Sequence, residues 1–274
     1  MSAKVSDRNF QSGSLPWRAN SSWNSILRDV ALSIVNLPYR RGREKIIAAV
    51  RTVEYFSHAM HDITTYRFPE ADRRIDNPFL EELRVLVGRI AGSGADAREI
   101  LNHRTELTSR YAFSVPTIGI LEMIAFHSPL VEIGAGTGYW ARCLAQLGAD
   151  VIAFDRLPPE DSLPWPHGGW EDMNAWFESE WYPVHNGDER FAALHPGRTL
   201  MLAWPLLDHP MAANALRHYL AAGGTRMVYI GDESTSGDAE FHAMKRSFTL
   251  LARHKLWSWP GVDDYVEIYA IRRG

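Results

Sequence analysis

The stretch Val131-Glu132-Ile133-Gly134-Ala135-Gly136-Thr137-Gly138-Tyr139-Trp140 reads as a strand that runs into a glycine-rich turn and then into a helix. Three glycines at alternate positions let the backbone approach a ligand closely and aim amide hydrogens into the crevice at a sheet's carboxyl edge. Asp155 ends the next apolar run, 17 residues after Gly138. A carboxylate there can accept both hydroxyls of a ribose. The spacing decides between nucleotides. A dinucleotide site wants Gly-x-Gly-x-x-Gly, and Tyr139 stands where that pattern needs its third glycine. No Gly-Lys-Ser/Thr follows, so a phosphate-binding P-loop is also disfavoured.

Working outward, the chain after residue 129 alternates short apolar runs with helical stretches, the signature of a parallel sheet with crossover helices. The predicted strands are Leu130–Ile133, Val151–Phe154, Tyr182–His185, Thr199–Ala203 and Met227–Ile230. Helices are predicted at Tyr139–Leu147, Pro210–Ala222 and Ala239–Ser247, and the chain finishes with Leu250–Leu256 and Tyr265–Ile271 as an antiparallel pair. Before residue 129 the periodicity is helical. Segments around Ile26–Val35, Ile46–Val53, Phe79–Ile90 and roughly Ala95–Tyr111 carry apolar residues on one side, and Pro116–Phe126 reads as a helix with Pro116 in its first turn. The first twenty residues read as a tail or strap.

Composition excludes other classes. The 274 residues are 46% hydrophobic and 23% charged, values of an ordinary globular chain with no disorder or coiled-coil bias. The net charge is −4, and the one basic cluster, Arg40, Arg41, Arg43 and Lys45, contains Glu44; no phosphate-tracking surface and no nucleic-acid partner are expected. The longest apolar run, Leu200–Leu207, is far short of a membrane span, which takes roughly 20 residues. With Cys143 as the only cysteine, neither an internal disulfide nor a multi-cysteine zinc site can form. No secretion signal is recognisable, and a cytoplasmic location is expected.

Glu132-Ile133-Gly134-Ala135-Gly136-Thr137-Gly138 resembles the first motif of the class I S-adenosylmethionine-dependent methyltransferases. The resemblance covers roughly residues 110–274. It implies a Rossmann-like α/β fold whose seven-stranded sheet is mostly parallel with one antiparallel strand, closed by the terminal pair. It also implies a division into residues 1–110, a tail and helical cap that shapes the substrate region, and residues 111–274, the S-adenosylmethionine-binding domain. By resemblance the loop from Glu132 through Gly134, Ala135, Gly136, Thr137 and Gly138 lies against the methionyl part of the cofactor. Asp155, followed by Arg156, holds the ribose. Asn186-Gly187-Asp188 looks like the motif whose acid contacts adenine, and Ala203 ends the strand facing the cofactor. One departure matters. Members that methylate amide or base nitrogens carry Asp or Asn, Pro-Pro and an aromatic after the fourth strand, whereas this chain has Ala203-Trp204-Pro205-Leu206. Nucleobase and glutamine methylation are therefore disfavoured.

The expected activity is methyl transfer to a small molecule in specialised metabolism, with S-adenosylhomocysteine as product. Two alternatives stay open: cyclisation of S-adenosylmethionine to azetidine-2-carboxylate with release of methylthioadenosine, and a non-catalytic cofactor-binding protein. Aromatic faces suit a sulfonium, because a cation over an indole or phenol ring gains about 0.5–2 kcal/mol. Ten tryptophans are present, four of them at Trp165, Trp170, Trp176 and Trp181. The candidate catalytic residues are Trp204, Tyr111 and Tyr139, with His209 as a candidate base beside His167, His185 and Asp208. The Pro164–Trp170 stretch reads as a loop over the site, or as an insertion packed on the surface. Asp263-Asp264 reads as a solvated turn, and no metal site is expected.

Overall fold

The computed structural model describes residues 74–93, 97–159, 176–177 and 179–271, all within a compact unit that spans Thr52–Gly274. The predicted helices before residue 74, the basic cluster, and the Pro164–Trp170 loop with His167 lie outside the described residues.

In chain order the elements are α1 (Pro78–Ser93), a 3-10 turn (Ala97–His103), α2 (Arg104–Arg110), α3 (Ile118–Ala125), β1 (Leu130–Ile133), α4 (Tyr139–Gln146), β2 (Val151–Asp155), β3 (Val184–Asn186), a 3-10 turn (Glu189–Leu194), β4 (Thr199–Ala203), α5 (Met211–Ala221), β5 (Arg226–Gly231), α6 (Ala239–Arg246), β6 (Thr249–Lys255) and β7 (Tyr265–Ala270). The strands form one sheet in the order β3-β2-β1-β4-β5-β7-β6. Strands β1 to β5 pair in parallel, and β7 runs antiparallel to both β5 and β6. Only β7 is reversed. This is a mostly parallel, seven-stranded Rossmann-like arrangement with one antiparallel strand, as expected from the sequence.

Strand order reverses direction between β1 and β4, which is where open α/β sheets place their ligand crevice. The alternation of side chains along the strands fills both faces. Leu130, Ala153, Met201, Val228 and Ile230 pack with α1, α3 and α4 on one face; Val131, Ile133, Leu200, Leu202, Met227 and Tyr229 pack with α5 and α6 on the other. On α4 the only cysteine, Cys143, is fully buried, and burial pushes its thiol up to about 12.

The structure departs from the predicted elements in three places. The single helix expected over Ala95–Tyr111 is a 3-10 turn followed by α2, broken at Asn102 and His103, both weak helix formers. Pro116 precedes α3, which Thr117 caps in extended conformation; the Pro116 carbonyl accepts from Asn77 Nδ2 at 2.8 Å instead of starting the helix. The strand expected at Tyr182–His185 begins only at Val184, because Pro183 cannot donate to a ladder.

Candidate active site

The glycine turn between β1 and α4 is held by its own backbone. Gly134, Gly136 and Gly138 all have φ between +56° and +74°, a region open to glycine and strained for other residues. Gly134 N and Ala135 N donate to Phe154 O, and Gly138 N to Ala135 O. Trp181 N donates to Thr137 O, and Thr137 Oγ1 donates to Tyr111 O. Space is as tight as the torsions. A Cβ on Gly138 would lie 2.9 Å from Tyr182 Cβ and Val184 Cγ2, and one on Gly136 would lie 2.3 Å from the Phe177 ring.

Asp155 ends β2 beside this turn. Its Oδ2 accepts from Gly136 N and its Oδ1 from Leu157 N, both at 2.9 Å. Burial raises its pKa, against those two bonds. The Arg156 amide also bonds this carboxylate, whose acceptor capacity is still not full. Glu132 is buried under the turn, and burial, reinforced by the charge of Asp155, pushes its carboxyl up to about 8. Among the described residues Glu132 Oε2 has no hydrogen-bond partner. Leaving such a group unsatisfied costs about 1–3 kcal/mol. A glycine cradle, a ribose-competent carboxylate and a buried acid with one unfilled oxygen fit a nucleoside cofactor with an amino-acid tail.

The other expected cofactor contacts are placed less directly. Asp188 pairs with Arg190 and accepts from Arg190 N to cap the second 3-10 turn; the Arg190 hydrogen bond holds its carboxyl below the usual range. Arg156 is exposed, and its carbonyl accepts from Asn186 Nδ2 at 2.9 Å. Ala203 ends β4 opposite Ile230.

Tyr111 and Tyr139 lie in the core between α1 and α4. Tyr139 is fully buried; its hydroxyl donates to Asn77 Oδ1 at 2.8 Å and accepts from Phe79 N at 3.0 Å, and burial drives its pKa far up. Tyr111 stacks on Phe79 at 5.0 Å and on Trp181 at 5.2 Å, and its hydroxyl donates to Glu82. Burial first, and then the Glu82 bond, push its pKa up to about 12. Both hydroxyls are engaged inside the protein. His209 is exposed at the start of α5, where its Nδ1 accepts from Met211 N at 3.2 Å. His185 and Asp208 are also exposed.

Trp204 is the third aromatic candidate and is placed differently. It follows β4 with φ of +50°, a strained conformation for a bulky residue, and its backbone N donates to Ile230 O. Phe113 stacks on its ring at 5.2 Å, and Phe177 lies 5.4 Å from Phe113. A row of rings thus runs from the Gly136 face to the end of β4.

At the far side of that row is a residue that sequence reasoning misread. Asp263 is exposed as a turn residue should be, paired with Lys255, but Asp264 is fully buried. The register explains this: Tyr265 pairs with Gly231, so the start of antiparallel β7 returns to the carboxyl edge beside β5 and β4. Asp264 Oδ1 accepts from Trp204 Nε1 at 2.6 Å, its N donates to Ser258 Oγ, and its Oδ2 has no partner among the described residues. Burial, reinforced by Asp232 and Asp263, pushes its carboxyl up to about 7 against the opposing Trp204 bond and Arg104 charge. Arg104, at the start of α2, places its guanidinium carbon 5.6 Å from the Trp204 ring centroid. Burial lowers its pKa, and its Nε also lacks a partner among the described residues. No local motif could have flagged Arg104 or Asp264, because they lie 100 and 60 residues from Trp204.

Among the described residues, no group of three or more His, Cys, Asp or Glu side chains could hold a metal ion, and no helix is long and apolar enough to cross a membrane.

No protein-family model and no curated protein matches the chain. Solved structures do. The chain is similar to magnesium protoporphyrin IX methyltransferase from Synechocystis PCC 6803 with bound SAM (12% identity, 81% of this chain and 97% of that one, TM-score 0.36). It is similar to human N-acetylserotonin methyltransferase in complex with SAM (15% identity, 85% and 68%, TM-score 0.37). It is also similar to a protein of the NADB-Rossmann superfamily from Streptococcus agalactiae (12% identity, 59% and 72%, TM-score 0.36).

Proposed function

We propose that this protein binds S-adenosylmethionine at the glycine turn and catalyses methyl transfer to a small molecule. The observation that carries the reading is the cradle itself: three left-handed glycines tied through Gly136 N to Asp155, above the buried acid Glu132, whose Oε2 has no partner among the described residues. When bound, S-adenosylmethionine supplies a methyl carbon activated by its sulfonium. Asp155 would hold the ribose hydroxyls while keeping the Gly136 amide, so turn and ligand are fixed together. Phe177, Phe113 and Trp204 would exclude water and present ring faces to positive charge. Residues before Tyr111 would wall the acceptor side, with Arg104 as one of their contributions. The net charge of −4 supports a small acceptor over a nucleic acid, and the single buried thiol fits the reducing cytoplasm.

Calorimetry with S-adenosylhomocysteine tests the reading, since absence of binding would sink it. The aromatic row keeps one second reading in play, cyclisation to azetidine-2-carboxylate, which needs a water-excluding pocket and no acceptor. Incubation with S-adenosylmethionine alone separates the two. Methylthioadenosine would support cyclisation; S-adenosylhomocysteine formed only after a small-molecule extract is added would support transfer.

A further inference from the structure

We infer that Arg104, over the ring of Trp204, and Asp264, at its indole N–H, form a clamp for a zwitterionic acceptor, a small molecule carrying both a carboxylate and an ammonium group. The inference rests on the reading of the glycine turn as the cofactor site and names the substrate class for the other half of that crevice.

Asp264 is fully buried and Arg104 half-buried, and the two are opposite in charge, yet each keeps an unfilled hydrogen-bonding position, Nε on Arg104 and Oδ2 on Asp264, among the described residues. Chains seldom bury ionisable groups without satisfying them. The neighbouring acid makes the contrast. Asp232 fills its Oδ1 with Ser234 N and Oγ and its Oδ2 with Asp263 N, so it acts as a loop fastener. Asp264 is fastened on one side only, with Oδ1 held by Trp204 Nε1 and its backbone N held by Ser258, so the free oxygen sits on a rigid mount. Arg104 lies over the same indole. Both groups are thus held against one indole, and a ligand that supplies a carboxylate to the guanidinium and an ammonium to Asp264 satisfies both. A planar guanidinium is the donor best matched to a carboxylate. Neither a simple amine nor a simple acid would fill both positions.

The position agrees. Asp264 and Trp204 sit at the carboxyl ends of β4, β5 and the start of β7, across the β1–β4 switch point from Asp155 on β2. The row of Phe177 and Phe113 connects the two halves.

The test loads the protein with S-adenosylhomocysteine and titrates linear ω-amino acids from glycine to 6-aminohexanoate, with the matching amides and alkylamines as controls. At least one amino acid should bind on the order of tenfold more tightly than its amide and its amine. That preference should disappear in Asp264→Asn and in Arg104→Gln, while affinity for S-adenosylhomocysteine stays unchanged, which also confirms that both variants fold. No preference for any amino acid, or a preference that survives both substitutions, would overturn the clamp. So would a loss of S-adenosylhomocysteine affinity in the two variants, which would give these residues to the cofactor's own amino-acid end. Failure of the unaltered protein to bind S-adenosylhomocysteine would strike the cofactor reading instead.

Discussion

The β1–β3 half of the crevice and the β4–β5–β7 half are built on opposite plans. In the first, seven consecutive residues and one aspartate at the next strand end make the whole cradle, mostly through backbone groups. In the second, the groups come from α2, the end of β4 and the turn before β7, and they act through side chains. Backbone chemistry can be written in a short stretch of glycines. Side-chain chemistry has to be assembled by topology, from residues 100 and 60 positions from Trp204.

Substitutions that separate the two plans can be ordered by size. The largest effect is expected near the second half but outside the site. Lys245 on α6 is buried, 2.5 Å from Glu267 of β7, and its ammonium lies 4.3 Å from the Tyr229 ring centroid. Lys245→Met leaves Glu267 buried without that partner and should cost about 3–5 kcal/mol in urea unfolding, while the folded fraction keeps its S-adenosylhomocysteine affinity. Next comes Asp155→Ala, which removes the proposed ribose acceptor and frees the Gly136 amide. Calorimetry should show affinity reduced roughly 100-fold, equivalent to about 2.7 kcal/mol. A change under threefold would mean that the first half does not bind the nucleoside.

Asp264→Asn should act in the opposite sense on stability. A carboxyl whose folded pKa is raised from near 4 to about 7 binds extra protons when folded, so its burial destabilises the fold increasingly as pH climbs between those values. The amide removes that cost. Unfolding curves should show the variant more stable by on the order of 2 kcal/mol at pH 8, with the gain gone by pH 4. A pH-independent difference would show that Asp264 is not a buried charge. Smallest is Trp204→Phe, which keeps a ring but removes the donor to Asp264 Oδ1. It should cost about 1 kcal/mol at pH 8 and less at pH 5, where the acid is protonated.

The same contrast explains what the sequence made legible. Strand positions and the terminal antiparallel pair could be read because each rests on local periodicity and punctuation. The turn from Gly134 to Gly138 was visible for the same reason. Asp264 was not. Its neighbour Asp263 is a solvated turn residue, and nothing in Asp263-Asp264 distinguishes the two; only the antiparallel register of β7 against β5 turns one of them inward. Tyr139 shows the converse. Its place at the head of the helix is local, but its hydroxyl is engaged by Asn77 and Phe79, 62 and 60 positions away.

The buried thiol of Cys143 gives the cradle its own clock. It lies on α4, the helix that the glycine turn starts, and its pKa near 12 keeps the reactive thiolate scarce while the helix is seated. A thiol-modifying reagent should therefore react only during excursions that lift α4 off the sheet. Any ligand gripping the turn makes those excursions rarer by the factor 1 + [L]/Kd, so a hundred-fold excess over Kd slows labelling about a hundredfold. With one cysteine in the chain, a single stopwatch measurement reads out occupancy at the turn without any knowledge of the acceptor.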